Sequence, residues 1–443
     1  MSRRTSDQSP IEREAQRLLD YFADGRMGRR TLIKRAIGLG VGSAAMTALA
    51  ADRFGGIASA AALLQTDPGA GTKGGTLRVA TIGEPPHLDE HQSTADIIAT
   101  ISYCAYEGLF TYDDKYQAIP ELVETHTPSA DGLSHTMVLR KGVKFHNGDE
   151  LKAADAIASV QRWGRISGVG KRLMAATSSL TAKDDYTLEW QLSQPYGTIL
   201  IALAHNTQAC TIHPKSVLDA AGDDPITDPT KYIGTGPYKL SEWKKDAYMR
   251  FERFADYQSA PGDKPMGYGG KKYAYADKIE FYPVPDESAR VAGLQSGDYD
   301  VLLDVGNDQY DVLKGQAGIV AEILTPTNWD VYFLNWKSPM TSNLAFRQAI
   351  QALFDMKPML QSGRGGDQFI RLDPGLMMKQ TPWYTTAGGE FYDMKNPDLA
   401  KQKLQEAGYD GKPLRWLSTQ EYSYMYGEAI VAKQQLESIG IKV

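Results

Sequence analysis

The sequence predicts an α/β fold, in which β-strands alternate with helices along most of the chain. Stretches in which apolar and polar residues alternate are followed by stretches with apolar residues at helical spacing, and this succession is typical of α/β layers. The composition is that of a globular protein, because 42% of the 443 residues are hydrophobic and 23% are charged. The sequence contains no repeat of fixed period. A chain of this length has room for two or three lobes.

The first 60 residues are predicted to be a signal peptide. Basic residues, among them Arg29 and Arg30, precede the uncharged stretch Ala36–Ala51, and Ala58-Ser59-Ala60 provides a cleavage site. The segment Gly28–Lys34, GRRTLIK, resembles the S/T-R-R-x-F-L-K signal of the twin-arginine export route. We therefore expect a periplasmic protein that has the twin-arginine translocase as a partner during export.

Two other interpretations of this segment fit less well. A membrane anchor needs about 20 apolar residues, whereas the uncharged stretch has 16 and is followed by Asp52 and Arg53. Glycines at positions 38, 40 and 42 imitate a phosphate-binding loop, but such a loop needs a preceding strand, and basic residues precede these glycines. No cysteine follows the apolar stretch, so we do not expect a lipid-anchored mature form.

Charge and composition narrow the remaining functions. Residues 1–60 hold 10 of the 48 Lys and Arg residues and 6 of the 54 Asp and Glu residues, so the rest of the chain has a net charge of −10. This acidity argues against nucleic acid or an anionic membrane as a partner. The 24 Tyr and 7 Trp residues suit an organic-ligand site as well as a core. The two cysteines, Cys104 and Cys210, either pair or stay free, and the sequence does not decide between these states.

The predicted elements follow a glycine-rich lead-in at residues 61–75. Alternation of apolar and polar residues predicts strands at 76–82, 135–145, 187–193 and 329–336, a strand after the Gly-Pro turn of 232–243, and another at 413–417. Helical spacing predicts helices at 96–109, 153–163 and 427–439.

Three further helices are predicted from their capping residues. Asp286 begins a helix that ends at Gly297, and Asn396-Pro397 begins one that ends at Gly408. Asn343 begins the third, whose buried face is predicted to comprise Phe346, Ile350, Leu353 and Phe354.

One long segment resembles the signature of a known protein family. Residues 131–163, DGLSHTMVLRKGVKFHNGDELKAADAIASVQRW, are similar to the signature of the extracellular solute-binding proteins of family 5, the peptide/nickel class that serves ABC importers. Within it, His135 and Met137 replace the usual aromatic residues. Other blocks match the family in order, at 232–244, 285–301, 346–359, 392–411 and 429–443, so the resemblance covers about residues 74–443.

The resemblance implies a two-lobed fold of the periplasmic binding protein type II kind. Lobe I would comprise 76–109 and 233–328, with an inserted subdomain at 110–232, and lobe II would be 329–443. In the family the chain continues beyond the block equivalent to 429–443, so we expect lobe II to be incomplete. The implied function is to bind a peptide-like or other organic solute between the lobes and deliver it to ABC permease subunits. The resemblance implies no enzymatic activity and no cofactor.

The resemblance also points to nine residues as ligand contacts: Thr94, Asp96, Trp329, Asn335, Trp336, Gln420, Glu421, Tyr422 and Tyr424. In the family, the turn after the first strand borders the ligand cleft, although Asp96 equally suits a helix cap. Trp329 and Trp336 are either cleft or core residues.

The residues from 420 onward follow a predicted strand and precede a helix, which is where open α/β sheets bind ligands. Some peptide binders of the family have an arginine about here for the ligand carboxylate. Gln420-Glu421 in that place weakens the case for dipeptide-like ligands and leaves room for a cationic or neutral one.

Several conspicuous residues are interpreted as structural. Arg140, Lys144 and His146 are expected to shape a strand and its loop, and the glycines of GTGPY, residues 234–238, to allow close backbone approach, with Tyr238 in packing. His87 and His91 have a metal-ligand spacing, but Pro85-Pro86 favours an extended loop with solvated histidines.

Two functions are alternatives to the binding of a peptide-like solute. A nickel or metallophore receptor would have the same fold as a peptide receptor. An exported hydrolase is disfavoured because neither a G-x-S-x-G nor an H-E-x-x-H motif occurs.

Overall fold

The computed structural model describes residues 17–18, 71–325, 329–420 and 423–443. The predicted signal peptide therefore lies outside the described residues, apart from Arg17 and Leu18. The chain divides into two compact units. The first unit extends to Tyr112 and includes Ala118–Leu303 and Gly315–Ile319, and the second unit comprises Asp113–Gln117, Asp304–Lys314 and Val320–Val443.

The strands are numbered in chain order. They are β1 (Thr76–Thr81), β2 (Phe110–Tyr112), β3 (Ala118–Pro120), β4 (Val123–Pro128), β5 (Ser134–Leu139), β6 (Thr177–Ala182), β7 (Thr187–Leu192), β8 (Tyr238–Lys244), β9 (Tyr248–Arg253), β10 (Pro265–Met266), β11 (Gly269–Gly270), β12 (Lys278–Pro283) and β13 (Val301–Leu302).

The α-helices are numbered in the same way. They are α1 (Asp96–Ser102), α2 (Ala153–Ile166), α3 (Gly168–Ala175), α4 (Ile199–Leu203), α5 (Lys215–Ala221), α6 (Glu287–Ser296), α7 (Asn307–Lys314), α8 (Pro339–Ser342), α9 (Leu344–Leu353), α10 (Met356–Arg364), α11 (Pro397–Glu406) and α12 (Ser423–Ser438). Short 3-10 helices occupy Glu90–Gln92, Pro229–Lys231, Asp367–Phe369 and Gly389–Phe391. Within the described part of the chain, no helix combines the length and apolarity that crossing a bilayer requires.

The first unit contains two main sheets. The larger is five-stranded and mixed, with the order β13-β1-β12-β9-β8, in which β1 runs parallel to both of its neighbours. The smaller is four-stranded and antiparallel, with the order β4-β5-β7-β6. The strands of the larger sheet are far apart in sequence because the segment that forms the smaller sheet is inserted between β1 and β8. The core under the larger sheet includes Val79, Ile101, Met249, Phe251 and Phe281.

The second unit is mainly helical. Its core packs α9, α11 and α12 together and contains the predicted buried face of α9, with Phe346 and Phe354 almost fully inaccessible. Ala400, Leu404 and Leu436 complete this core from the other two helices. Each helix presents one apolar face, so most of its stability comes from packing against the others.

The capping predictions are confirmed. The Asp286 carboxylate accepts a hydrogen bond from the Ala289 N–H at 2.7 Å, and Gly297 ends α6 with φ of 83°. The Asn343 side chain accepts hydrogen bonds from two N–H groups of α9, and Asn396 accepts one from Leu399 in α11. Each of these caps satisfies N–H groups that a helix leaves unpaired at its start.

The helix predicted at 96–109 is shorter than expected, because α1 ends at Ser102. The backbone beyond it bonds to another segment: the Gly236 N–H donates to the Ala105 carbonyl at 2.9 Å, and the Tyr238 N–H donates to the Cys104 carbonyl at 2.9 Å. These contacts compete with the helical hydrogen bonds that would have continued α1. The helix predicted at 427–439 differs in the other direction, since α12 begins at Ser423.

The strands predicted at 329–336 and 413–417 are wrong. Exposure alternates along 330–335 as predicted, but no backbone segment among the described residues pairs with it. Residues 413–417 make one backbone bond to the end of the chain, from the Leu414 N–H to the Lys442 carbonyl at 2.8 Å. Alternation reports a half-buried extended segment, whereas a strand also needs a hydrogen-bonded neighbour.

The strand predicted at 135–145 ends early for a local reason. β5 stops at Leu139, and the chain turns at Gly142, which has φ of 76°. Glycine adopts this left-handed conformation without the steric cost that a Cβ brings.

Candidate functional site

The residues of the family signature connect the inserted segment to the rest of the first unit. The Arg140 guanidinium donates to the carbonyls of Glu121, Gln258 and Ser259, at 3.1, 2.6 and 2.8 Å. Lys144 forms an ion pair with Asp256 at 2.8 Å. These contacts support the structural interpretation of the signature.

His146 and the GTGPY segment belong to the same junction. His146 Nε2 lies 3.0 Å from the Gly236 carbonyl oxygen, and the Gly234 N–H donates to His146 Nδ1 at 3.2 Å. Burial lowers the pKa of His146 to about 4, so the ring is neutral and accepts that bond. A Cβ on Gly234 would lie 2.1 Å from the Ala105 carbonyl oxygen, so glycine is required at this close approach. Tyr238 is buried and its hydroxyl donates to the Ala276 carbonyl, as the packing interpretation predicts.

The prediction that His91 is a solvated loop residue is wrong. His91 is completely buried, with Nε2 2.9 Å from the Thr211 carbonyl oxygen and Nδ1 3.1 Å from Arg162 Nη1. Arg162, also buried, donates to both carboxylate oxygens of Asp89 at 3.1 and 2.7 Å. Burial lowers the pKa of His91 to about 4. The partners at 162 and 211 are distant in sequence, and nothing local signals them.

His87 is half-buried and donates nothing to this cluster; its Nδ1 accepts a hydrogen bond from the Asp89 N–H at 3.3 Å. Across the described ranges, no three His, Cys, Asp or Glu side chains form a group that could hold a metal ion.

Cys104 and Cys210 are both free, so the two cysteines do not form a disulfide with each other.

The two candidate ligand residues of the first unit are exposed. Thr94 lies in the turn before α1, and Asp96 is the first residue of that helix. The N-cap position belongs to Ala95, so Asp96 does not cap α1 in the sense considered above. Its carboxylate lies in the first turn, where the helix dipole favours a negative charge.

The three candidates from the 329–336 segment belong to the second unit, and all are exposed. Trp329 is 50% and Trp336 67% accessible, which excludes the core alternative for both rings within the described residues. The guanidinium of Arg347 lies over the Trp336 ring, 4.0 Å from its centroid. Asn335 uses its side-chain oxygen to accept a hydrogen bond from the Lys337 N–H at 3.0 Å, which shapes the turn before α8.

The last four candidates come from the sequence around the start of α12. Gln420 is exposed, and Glu421 and Tyr422 lie outside the described residues. Tyr424 lies in the first turn of α12, half-buried, with the guanidinium of Arg364 only 3.6 Å from its ring centroid. This stacking restricts the orientation of the Tyr424 ring.

The residues that hold Tyr424 were not predicted from the sequence. Arg364, at the end of α10, donates to both oxygens of Asp330, with Nε to Oδ2 at 3.1 Å and Nη2 to Oδ1 at 2.5 Å. Glu428 is the first acidic residue of α12. Burial together with the Asp330 carboxylate raises its pKa to about 8. No signal in the sequence connects positions 330, 364 and 428, because only the tertiary packing of two helices and an extended segment brings them together.

A close contact between α10 and α12 produces this arrangement. A Cβ on Gly427 would lie 2.4 Å from the Ser362 carbonyl oxygen, and one on Gly363 would lie 2.7 Å from Glu428 side-chain atoms. The Ser362 hydroxyl donates to the Gly427 carbonyl at 3.0 Å. The two glycines, 64 positions apart in the sequence, permit an approach that larger side chains would prevent.

The arrangement is suited to recognition. Stacked and exposed aromatic rings provide faces for organic groups, and the carboxyl and amide groups provide hydrogen-bond partners. These candidates reside on two units, with Thr94 and Asp96 on the first and the others on the second.

Comparison with known proteins gives a consistent result. The family model of bacterial extracellular solute-binding proteins, family 5 Middle, matches residues 117–443. A probable peptide ABC transporter periplasmic-binding protein of Sinorhizobium fredii, y4tO, is 27% identical over 367 residues, which are 80% of this chain and 67% of that protein.

Two solved structures are similar in fold at 25% sequence identity. The oligopeptide-binding protein AppA of Bacillus subtilis, in complex with a nonapeptide, has a TM-score of 0.62, with 84% of this chain and 74% of that chain covered. AgaA of A. tumefaciens R10, in complex with agropinic acid, has a TM-score of 0.66, with 83% and 72% covered. The chain thus spans about two thirds to three quarters of the length of these proteins.

These matches agree with the α/β fold and with the ordered sequence blocks. The family model covers most of the chain. The chain belongs to the bacterial extracellular solute-binding proteins of family 5, as the substrate-binding component of an ABC importer and not as an enzyme.

Proposed function

We propose that the protein binds a peptide-like or other small organic solute through residues of both units and delivers it to its permease. The ligand contacts are Thr94 and Asp96 on the first unit, and Trp329, Asn335, Trp336, Gln420, Glu421, Tyr422 and Tyr424 on the second. The observation that carries the proposal is the Tyr424 ring, which Arg364 holds by stacking at 3.6 Å beside the exposed loop that contains Gln420.

The solutes bound by similar proteins support this class of ligand. AppA is described with a nonapeptide and AgaA with agropinic acid. Both ligands combine polar groups with an organic skeleton. The exposed Trp rings and the amide groups of this chain are suited to a ligand of that composition.

We also propose the lobe assignment that the family resemblance implies. Lobe I comprises 76–109 and 233–328, the inserted subdomain 110–232, and lobe II 329–443. The five-stranded sheet, which uses only strands on either side of the inserted segment, supports this assignment. Closure of the lobes on the ligand would remove water and strengthen each hydrogen bond to it.

Export by the twin-arginine route belongs to the same proposal. The GRRTLIK segment supports it, and the translocase is the corresponding partner. Replacing Arg29-Arg30 by Lys-Lys in the full chain is expected to leave the precursor in the cytoplasm. Normal appearance of that variant in the periplasm would contradict this route.

The ligand experiment begins with the solute that the protein retains. Mass spectrometry of the full chain after mild purification identifies retained compounds, and calorimetry then tests these compounds, synthetic peptides of up to nine residues, and agropinic acid. We expect saturable binding without turnover. Absence of binding by every retained compound and panel member, or turnover of any of them, would overturn the proposal.

Two variants test the assigned contacts. Tyr422→Ala and Trp336→Ala are expected to weaken binding by about tenfold or more, while the unfolding midpoint changes by only a few °C, because a ligand contact contributes to binding and little to the core. Phe391→Ala is the matched control, since Phe391 is an aromatic residue of the second unit that is 53% exposed. Equal affinity of all three variants would remove these residues from the site.

A further inference from the structure

A small, partly open cavity lies within the first unit, and none of the residues assigned to the ligand lines it. Its volume is about 30 Å³, enough for roughly one water-sized particle. The polar and aromatic side chains around it include Glu90, Tyr103, Tyr106, Glu107, Glu121 and Tyr268. Three of these six are carboxylic acids, which is an unusual concentration for a buried space.

Two of the lining groups have buried polar atoms without a partner. Glu90 is 2% exposed, and its Oε2 atom makes no hydrogen bond to any described residue. Tyr106 is likewise 2% exposed, and the same holds for its hydroxyl. More than nine in ten buried polar groups in proteins are hydrogen-bonded, so two such atoms around one cavity indicate a guest.

The charges around the cavity are unbalanced. Lys272 Nζ lies 2.5 Å from Glu121 Oε1 and 3.5 Å from Glu107 Oε1, so one ammonium group serves two carboxylates. Their other contacts are neutral donors, namely the Tyr257 hydroxyl, the Thr235 hydroxyl and the Gly108 N–H, at 2.8 to 2.9 Å. Glu90 adds a third carboxyl group, and burial raises its pKa to about 8, so a cation that binds beside it takes the place of its proton.

The arginine that lies beside Glu90's neighbour already has an ion-pair partner. Arg162 is paired with Asp89, the residue beside Glu90. No Lys or Arg is among the residues that line the cavity.

The aromatic rings favour the same kind of guest. Tyr103 and Tyr268 stack with their centroids 5.0 Å apart, and both line the cavity together with Tyr106. Ring faces attract cations, and the attraction is largest where water is excluded. His205 also lines the cavity, but its Nδ1 atom is engaged with the Thr207 carbonyl at 2.6 Å.

We propose that this cavity binds a small monovalent cation of the ammonium or potassium class, with the Glu90 carboxylate as its counter-charge and the Tyr106 hydroxyl as a neutral ligand. The volume is sufficient for a cation of about the size of water. A divalent transition metal is not the expected guest, because within the described ranges no three His, Cys, Asp or Glu side chains form a metal-type group.

The first test compares salts on the unmodified full chain. Thermal unfolding is measured by calorimetry at about 0.2 M KCl, NH₄Cl or choline chloride, at equal ionic strength and at about pH 8.5, where a carboxyl group with a pKa of about 8 is mostly ionised. A ligand that binds only the folded state raises the unfolding midpoint, and we expect KCl or NH₄Cl to raise it by about 2 to 4 °C relative to choline chloride. Identical midpoints in the three salts would overturn the proposal.

Variants assign the effect to the cavity. Glu90→Gln keeps the shape of the side chain but removes its charge, and it is expected to abolish the difference between salts. Glu124→Gln, on the exposed side of β4, removes the same charge elsewhere and is expected to retain the difference. A full salt difference in Glu90→Gln would refute the assignment.

A direct measurement does not depend on the folding of a variant. Crystals of the full chain soaked in a thallium(I) salt, a potassium substitute, are expected to show an anomalous peak within about 3 Å of a Glu90 carboxylate oxygen. A cavity that holds only water in those crystals would overturn the proposal.

Discussion

Replacing Arg162 by methionine is expected to destabilise the first unit strongly, because the Asp89 carboxylate would remain buried without its partner. Side-chain exposure is 1% for Arg162 and 0% for Asp89, and their closest atoms are 2.7 Å apart. Arg162 also donates to the carbonyls of Gly222 and Asp224, both at 2.7 Å. The substitution thus removes an ion pair and two further charge-assisted hydrogen bonds at once.

The expected magnitude follows from the burial. Removing one partner of a buried ion pair costs about 3 to 5 kcal/mol in the free energy of unfolding. For a unit of this size each kcal/mol lowers the unfolding midpoint by about 2 to 4 °C, so calorimetry is expected to show a decrease of roughly 10 °C. Arg165→Met is the matched control on the same helix, because its ion pair with Asp223 is about half exposed on both sides. That variant is expected to lose less than about 1 kcal/mol.

The pH dependence gives an independent check. Burial raises the pKa of Asp89, but the hydrogen bonds from Arg162 and nearby positive charges more than compensate, so the pKa lies below its usual value. In the native protein this group therefore adds stability above its unfolded-state pKa and loses it as the pH falls through the folded-state pKa.

In Arg162→Met, burial is no longer compensated and the pKa of Asp89 is expected to rise above its usual value. The difference in midpoint between the native protein and the variant should then shrink as the pH falls from 7 towards 4. A loss in Arg162→Met no greater than in Arg165→Met, or one that does not change with pH, would refute the reasoning.

Two further outcomes are expected. Gly234→Ala should abolish soluble expression or lower the unfolding midpoint by many degrees, because the new Cβ would lie 2.1 Å from the Ala105 carbonyl oxygen. Gly197→Ala is the control, since a Cβ there would meet no atom within 4 Å, and it should have neither effect. Equal yields and midpoints of the two variants would contradict this prediction. Burial and the Asp330 carboxylate raise the pKa of Glu428 to about 8, so the native state keeps a proton that the unfolded state releases. The stability of the second unit should therefore fall as the pH rises from 5 to 9. Glu428→Gln should flatten this decline in calorimetric scans across that range, and an unchanged slope would rule the proton out.

The surroundings of His91 and of Tyr424 could not be predicted from the sequence, and the reason is the same for both residues. His91 was expected to be solvated because two prolines precede it, yet Arg162 and the Thr211 carbonyl enclose it. The sequence predicts Tyr424 as a ligand contact from its place after a predicted strand, but it gives no sign of Arg364 and Asp330, which hold the ring in the structure. In both cases the residue was visible in the sequence and its partners were not.

The sequence by itself determined the α/β class, the family, and the helices whose starts are local, such as those capped by Asp286, Asn343 and Asn396. A cap acts on N–H groups two or three residues away, so its signal lies within one turn of helix. The tertiary structure decided where 96–109 stops being helical, why the alternating segment 329–336 is not a strand, and which charges meet in the interior. Those outcomes depend on hydrogen bonds and packing between residues tens to hundreds of positions apart, and residue order alone does not contain such distances.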